Sequence, residues 1–450
     1  MPDTDPSHLM LREINATYEL TAMIAEARNL DEVVRIGLKL AIETLDLDAG
    51  AVMLMNEDAG ALRPDEAGLE RKASHALSAT WLASPRPLSH NREFDRLALS
   101  GQIVTIEDLF TDPRVMLTDE VRQEGLRSAI HAGMIFRGRP VGVLRMYSRQ
   151  LRTFSESEVR LARVIGQQLA VAVEQARLLQ LQQHERQIQQ QLSLAADVQR
   201  RMLPGSVPTV PGVQIAARWT PSLELAGDFY DFLERKDPDR IGFLIGDIVG
   251  KGVAAALLMS MVRSSFRAHT RRDIDIDQVM TLLNRDICRD TVEGEFATLF
   301  YGEYNPQTRT LRYASAGHDP ALVYRADSGK VELLHRTGML MGVIANSKYA
   351  INTCQLSPGD TVFLYTDGLT DAHNFDKERF GRVRLMESLV FALHEHRASP
   401  VRVALDTIFA QLRNFAGLAK RPDDQTAILM RVNPDGTSDA SPADWISEHA

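Results

Sequence analysis

Four aspartates occupy positions from which chemistry can be built. Asp228 lies in Leu225-Ala226-Gly227-Asp228-Phe229-Tyr230-Asp231 and Asp247 in Ile245-Gly246-Asp247-Ile248-Val249-Gly250-Lys251-Gly252. Asp367 lies in Leu364-Tyr365-Thr366-Asp367-Gly368 and Asp423 in Pro422-Asp423-Asp424-Gln425-Thr426. A single Asp-Gly pair is ordinarily only a turn. Four acids, each closing an apolar run or a glycine turn, can converge at one edge of a sheet. The flanking glycines let backbone and solvent approach closely. Hard oxygen donors of this kind suit Mn²⁺ or Mg²⁺. Two such ions side by side can activate a bridging water and neutralise phosphate charge. No histidine-rich cluster competes for zinc. Gly250-Lys251-Gly252 lacks the spacing and the following Ser or Thr of a P-loop. Lys251 therefore reads either as a phosphate-positioning cation or as a solvated side chain.

These acids need a strand-rich frame, and the segment from about Val213 to Val432 supplies one. Buried-strand candidates are 241–245, 297–301, 311–315, 361–365 and 426–430. Helices are expected at 253–269, 276–292, 383–396 and 400–412, with Ala254–Met261 buried behind the site. The pattern fits a layered α/β/β/α sandwich. The tail after Asn433 is polar, and Trp445 stands isolated within it.

Upstream, helical periodicity runs through Leu20, Ile24, Leu30, Val33, Ile36 and Leu40. Strands are expected at 51–55 and 103–106, followed by a hairpin of 132–136 and 141–147 around Arg137-Gly138-Arg139-Pro140. Ser155 and Glu158 have the spacing of a capping box that opens the next helix. Ile106-Glu107-Asp108-Leu109, Asp112-Pro113-Arg114, the closing hairpin, Phe154 and the terminal helix together resemble the GAF family. That resemblance implies an α+β sensory domain for a small molecule, a chromophore or a partner, and the residues select none of these. The segment holds no cysteine, which argues against a bilin thioether or a redox thiol. His75, His90 and His131 read as structural or surface residues.

Between the two segments, a helix is expected from about Val159 to Met202. Leu178, Leu181, Glu185, Ile188, Leu192, Ala195, Gln199 and Met202 recur in steps of three and four, with polar breaks at Glu185 and Gln199. This reads as a parallel dimer stalk, the alternative being an amphipathic helix lying on its own domain. Pro204 ends it.

Composition bounds the function. A chain of 450 residues exceeds one comfortable core and calls for several domains. The formal net charge is -9, and the basic clusters are no larger than Arg200-Arg201 and Arg271-Arg272. Nucleic-acid binding is therefore not expected. Cys288 and Cys354 have neither zinc nor disulfide spacing, which fits a reducing compartment. The N-terminus is acidic and unlike a signal peptide. No run reaches the ~20 apolar residues that span a bilayer. A cytoplasmic protein without a transmembrane segment is expected.

From about Ala195 to Val432 the chain resembles the bacterial PP2C-like serine phosphatases of the SpoIIE/RsbU class. Ala196-Asp197-Val198-Gln199-Arg200-Arg201-Met202-Leu203-Pro204 is similar to that family's regulatory entry helix. The four aspartate motifs, Phe296-Ala297-Thr298-Leu299-Phe300 and Ser315-Ala316-Gly317-His318-Asp319-Pro320 complete the match. The resemblance implies two metal ions bridged by Asp247, with the Ile248 carbonyl as a further ligand. It implies Asp367 and Asp423 on the second ion, and Asp228 bound directly or through water. Asp231 is a weaker candidate, and Asp424 is the alternative to Asp423. A metal-activated hydroxide would attack phosphorus in line, with no phosphoenzyme. Gly317 and His318 read as a structural turn, an acid role for His318 being the alternative. Ala226 replaces a glycine common in the family, which leaves the carboxylates intact, so an active enzyme is expected.

By the same resemblance the substrate is a phosphoserine protein, a STAS-domain anti-sigma factor antagonist. The alternatives are a non-catalytic phosphoprotein-binding scaffold and a two-metal hydrolase of nucleotides. The expected organisation is a GAF-like sensor at 11–177, a coiled-coil linker at 178–204 that makes a homodimer, a PP2C-like domain at 205–434 and a polar tail at 435–450. The sensor's ligand is left open.

Overall fold

A computed structural model describes residues 18, 29–55, 68–83, 93–115, 118–234, 240–272 and 274–433. Leu20, Ile24, His90, Trp445 and the polar tail lie outside the described residues. The chain divides into two compact units, Met1–Ile188 and Gln189–Ala450.

In the first unit, helix α1 (Leu30–Thr44) begins where the Asn29 side chain accepts a hydrogen bond from the Glu32 N–H. Its buried stripe includes Val33, Val34, Leu38, Ala41 and Ile42. The sheet is antiparallel, in the order β2 (Leu69–His75), β1 (Ala49–Met55), β5 (Arg139–Ser148), β4 (Ser128–Phe136), β3 (Ile103–Ile106). Arg137 and Gly138 both have positive φ, as a two-residue hairpin turn between right-twisted strands requires. Side chains alternate between the faces. Val52, Leu54, Ile130, Leu144 and Met146 pack with α1 and with Leu161, Ile165, Leu169 and Val173 of the long helix. Met53, Ala129, Val143 and Tyr147 turn the other way, toward short helices α2 (Ala79–Leu82), α3 (Glu93–Leu99) and α4 (Thr118–Glu124).

The long helix, α5 (Glu156–Met202), opens on the expected capping box. Glu158 accepts from the Ser155 N–H at 2.8 Å, and the Ser155 hydroxyl accepts from the Glu158 N–H at 3.3 Å. From 178 to 191 every residue is exposed, Leu178, Leu181 and Ile188 included.

The second unit holds two antiparallel sheets of five strands. One runs β13 (Asn352–Gln355), β10 (Thr310–Ala316), β9 (Ala297–Asn305), β8 (Ile241–Ile248), β7 (Phe229–Glu234). The other runs β12 (Val331–Leu334), β11 (Ala321–Tyr324), β14 (Thr361–Tyr365), β15 (Gln425–Val432), β6 (Val213–Thr220). On β14 and β15, Val362, Leu364, Ile428 and Met430 join the core shared with the first sheet and with helices α6 (Gly252–Thr270) and α7 (Ile276–Asp290). Phe363, Tyr365, Ala427 and Leu429 face the opposite way. They pack on residues of the last two helices after the short α8 (Asp367–Thr370), namely α9 (Gly381–Glu395) and α10 (Val401–Ala416). Each fully buried ring, such as Phe243 or Phe300, stabilises this stack by about 1.5–3 kcal/mol. Strands covered on both faces carry unbroken apolar runs. That is why 241–245, 361–365 and 426–430 read as strands from sequence, and the α/β/β/α sandwich is the one expected.

Candidate active site

The acids meet where the two sheets end. Phe229 pairs with Gly246 across β7 and β8, so the next facing positions are Asp228 and Asp247. Tyr365 pairs with Ala427 across β14 and β15, so the next are Thr366 and Thr426, joined by a Thr366 N–H bond to the Thr426 carbonyl at 3.0 Å. Asp228 connects the sheets. Its carboxylate accepts from the Thr366 hydroxyl at 2.6 Å and the Thr426 hydroxyl at 2.7 Å, and its carbonyl accepts from the Trp219 indole at 2.9 Å.

Two glycines permit the approach. A Cβ on Gly368 would lie 1.8 Å from the Asp424 carbonyl oxygen, and one on Gly227 would lie 2.8 Å from the Ile248 carbonyl oxygen. The second contact places the carbonyl of Ile248 against the loop that carries Asp228. Ala226 is fully buried within the core, so its methyl group is accommodated.

Charge is concentrated here. Burial, then repulsion from Asp247 and Asp424, holds the Asp228 carboxyl well above the usual range. Burial, then Asp367 and Asp423, pushes Asp247 up to about 7, against a hydrogen bond from Asp228. Burial, then Asp423, pushes Asp367 up to about 6. Lys251 lies 3.0 Å from Asp423 and also donates to the Pro422 carbonyl. Its ammonium therefore meets a carboxylate of the cluster.

Asp423 and Asp424 have different surroundings. Asp424 is buried, and its carboxylate accepts from the Ser222 N–H at 2.7 Å, the Ser222 hydroxyl at 2.9 Å and the Gly227 N–H at 2.8 Å. It anchors the loop before Asp228. The Asp423 side chain is 37% exposed beside Lys251. Asp231 points elsewhere: it is fully buried and held by Arg267 at 2.6 and 2.7 Å and by Arg263 at 3.1 Å. His318 is buried with its Nδ1 at 2.8 Å from the Thr298 hydroxyl, and burial lowers its pKa to about 4. A ring that stays neutral at pH 7 keeps only one N–H, a far weaker acid than the imidazolium.

Among the described residues no three acidic, histidine or cysteine side chains close around a single ion position. The donor set nevertheless fits hard divalent cations. Oxygen donors are gathered at one edge, where burial and mutual repulsion disfavour their charge, and Lys251 meets one of them, Asp423.

Sequence reasoning missed the threonines that hold Asp228, although both stand inside the quoted motifs. It also placed Gln199 as a polar break in a stalk. Gln199 is instead buried in the second unit: its amide donates to the Ala226 carbonyl at 2.7 Å and accepts from the Ala226 N–H at 3.0 Å. Ala196 packs beside it on Leu225 and Ala256.

Comparison with known proteins supplies the rest. Residues 237–433 match the family model "Stage II sporulation protein E (SpoIIE)", and residues 27–174 match the GAF domain. The chain is 30% identical over 249 residues to the phosphoserine phosphatase RsbU of Bacillus subtilis, covering 55% of this chain and 71% of RsbU. The chain belongs to the SpoIIE/RsbU phosphatase family. It is a PP2C-type protein-serine/threonine phosphatase with an N-terminal GAF domain. It is also 27% identical over 260 residues to the phosphoserine phosphatase RsbP of B. subtilis, covering 56% of this chain and 60% of RsbP. Among solved structures it is similar to the SiaA-PP2C domain of Pseudomonas aeruginosa, with 22% identity, a TM-score of 0.48 and coverage of 55% of this chain and 98% of that one. Among the described residues of this SpoIIE/RsbU-family phosphatase, no helix is long and apolar enough to cross a membrane.

Proposed function

We propose that this phosphatase removes phosphate from a phosphoserine on a STAS-domain anti-sigma factor antagonist, with two Mn²⁺ or Mg²⁺ ions held by Asp228, Asp247, the Ile248 carbonyl, Asp367 and Asp423. The meeting of these acids at the joined sheet ends carries the metal assignment, and the likeness to RsbU supports the substrate. Bound divalent cations would supply a nucleophilic oxygen and charge for the phosphate. The chain's own residues do the positioning. Thr366 and Thr426 orient Asp228, Asp424 fixes the loop through Ser222 and Gly227, and Lys251 holds Asp423, whose charge a bound cation would share.

Asp423 rather than Asp424 is the ligand, because the Asp424 oxygens are already occupied by N–H and hydroxyl donors. Asp423→Asn should raise the Mn²⁺ concentration for half-maximal rate about tenfold or more. Asp424→Ala should mainly lower the melting temperature, because buried donors are left without acceptors at about 1–3 kcal/mol each. Metal titration of the rate and thermal denaturation separate the two.

The sensor occupies 11–177, the linker 178–204 and the phosphatase 205–434. The exposed Leu178, Leu181 and Ile188 give the linker an apolar seam suited to pairing with a second copy. Regulation acts through the end of α5, where Gln199 holds Ala226.

The deciding experiment is phosphate release from a phosphorylated STAS-domain protein with Mn²⁺, with Mg²⁺ and with EDTA. Turnover that EDTA abolishes is expected. Stable binding with no turnover in either metal would identify a scaffold instead.

A further inference from the structure

Beside the acid cluster stands a group of charges that the metal assignment does not use. Strand β11 pairs antiparallel with β14, with Leu322 facing Phe363. Carried three residues back, that register sets Asp319 against Thr366, next to Asp367, at a strand spacing of ~4.8 Å. The neighbouring His318 ring is bonded to the backbone of Tyr365, which holds this end of the chain against β14.

Two arginines converge on Asp319. The Arg336 Nη2 lies 3.4 Å from its Oδ1, and the Arg382 Nη2 lies 3.3 Å from the same oxygen. Both arginines are anchored. The Arg336 Nε donates to the His318 carbonyl at 2.9 Å, and the N–H groups of Thr337 and Gly338 both bond the Ser315 carbonyl at 3.0 Å. Arg382 stands in the first turn of α9. The charges of Asp319, Arg382 and Arg336 all act on the buried Tyr365 hydroxyl, so the three form one cluster above it.

The balance of charge in this cluster is uneven. One carboxylate oxygen answers two guanidiniums, at distances near the outer limit of a hydrogen bond. The arginine side chains are 53% and 42% exposed, whereas that of Asp319 is 18% exposed. The nearby Asp371 is taken by Arg379 at 3.0 Å. Two forks of donors, fixed at the base and open to solvent, suit a second oxyanion. The phosphoryl group itself belongs at the metal site. Asp247 feels Asp367, Asp423 and Asp424, while Asp319 acts on Asp367, so the arginines border the acid cluster on its Asp367 side. An oxyanion bound there must come from the substrate beside its phosphate. Three residues of extended chain span up to ~10 Å, enough to bridge the two positions.

We propose that Arg336 and Arg382 form a specificity site that binds an acidic side chain within about three residues of the substrate's phosphoserine. This inference rests on the two-metal reading of the neighbouring acids, and its test separates the two.

The full chain is assayed with Mn²⁺ on p-nitrophenyl phosphate and on three phosphoserine peptides. The peptides share one sequence except at the residues flanking the phosphoserine, which are aspartate, asparagine or lysine. The kcat/KM should be at least about tenfold higher for the aspartate peptide than for the asparagine peptide, with the difference in KM. The preference should shrink as salt is raised. It compares two substrates on one enzyme, so a change in metal occupancy cancels. Arg336→Gln combined with Arg382→Gln should bring the ratio to within about twofold of unity. Arg382→Glu should reverse it, so that the lysine peptide outruns the aspartate peptide. Turnover of p-nitrophenyl phosphate without a preference for the aspartate peptide would overturn this inference and leave the metal site standing. So would a preference that survives in the double variant or in Arg382→Glu. Absence of Mn²⁺-dependent turnover of p-nitrophenyl phosphate would overturn the two-metal reading, and this inference with it.

Discussion

Replacing Asp247 with asparagine should lower metal-supported phosphate release at least about a hundredfold without destabilising the protein. Asp247 is the penultimate residue of β8, at the position facing Asp228, and its carboxyl feels both Asp367 and Asp423. Asparagine keeps the shape and one oxygen, so the strand and its pairing to Thr298 of β9 persist. What is lost is the negative charge at the centre of the donor set. Two consequences follow with opposite signs. Cation affinity falls, because a neutral amide is a poor ligand for a hard dication. The metal-free fold is relieved of one repulsive carboxylate, so its melting temperature in EDTA should hold or rise. Added Mn²⁺ should raise the melting temperature of the parent protein by mass action and that of the variant much less. Rate measurements, together with denaturation in EDTA and in Mn²⁺, read all three quantities. A variant that kept its rate would remove Asp247 from the metal site. A variant that melted early in EDTA would show a structural carboxylate instead.

The sandwich could be read from the sequence because its strands are covered on both sides. Val362 and Leu364 face one layer and Phe363 and Tyr365 the other, so the run 361–365 has no polar break to hide it. β7 escaped notice for the opposite reason. Asp231 interrupts its apolar run, and only the tertiary structure supplies Arg263 and Arg267 to neutralise it. The short β11, β12 and β13 offer too few residues for a period to show. At the site, the motif aspartates were legible because glycines and strand ends flank them. Their division of labour was not. Asp423 and Asp424 are adjacent and chemically identical, and they differ only in what the fold brings to each: Lys251 to one, Ser222 and Gly227 to the other. Gln199 fits the entry-helix reading and not the polar break of a stalk, because heptad spacing records only which residues share a helix face. It says nothing of whether that face meets another helix or, as here, the backbone of Ala226.

Gln199→Leu should lower the rate about tenfold or more and raise the Mn²⁺ concentration needed for half-maximal activity, as loss of a positioning partner does. The Gln199 amide matches both backbone groups of Ala226, donor to acceptor and acceptor to donor. Ala226 is fully buried, so a leucine leaves its N–H and C=O without partners, at about 1–3 kcal/mol for each group. The least costly escape is for the loop to shift toward water. Ala226 is followed directly by Gly227, whose N–H is bonded to Asp424, and by Asp228, which joins the two sheet ends. A shift at Ala226 therefore displaces a proposed metal ligand, whereas Leu225 and Ala256 beside it lose only a contact. The same chain of bonds gives the final turns of α5 leverage over the site, since a turn that withdraws Gln199 frees the loop just as the leucine does. Gln199→Glu keeps the acceptor for the Ala226 N–H and loses the donor to its carbonyl, so it should fall between the parent and the leucine variant in metal requirement. If Gln199→Leu lowered the melting temperature but left both the rate and the metal requirement unchanged, the end of α5 would be a structural prop with no hold on the chemistry.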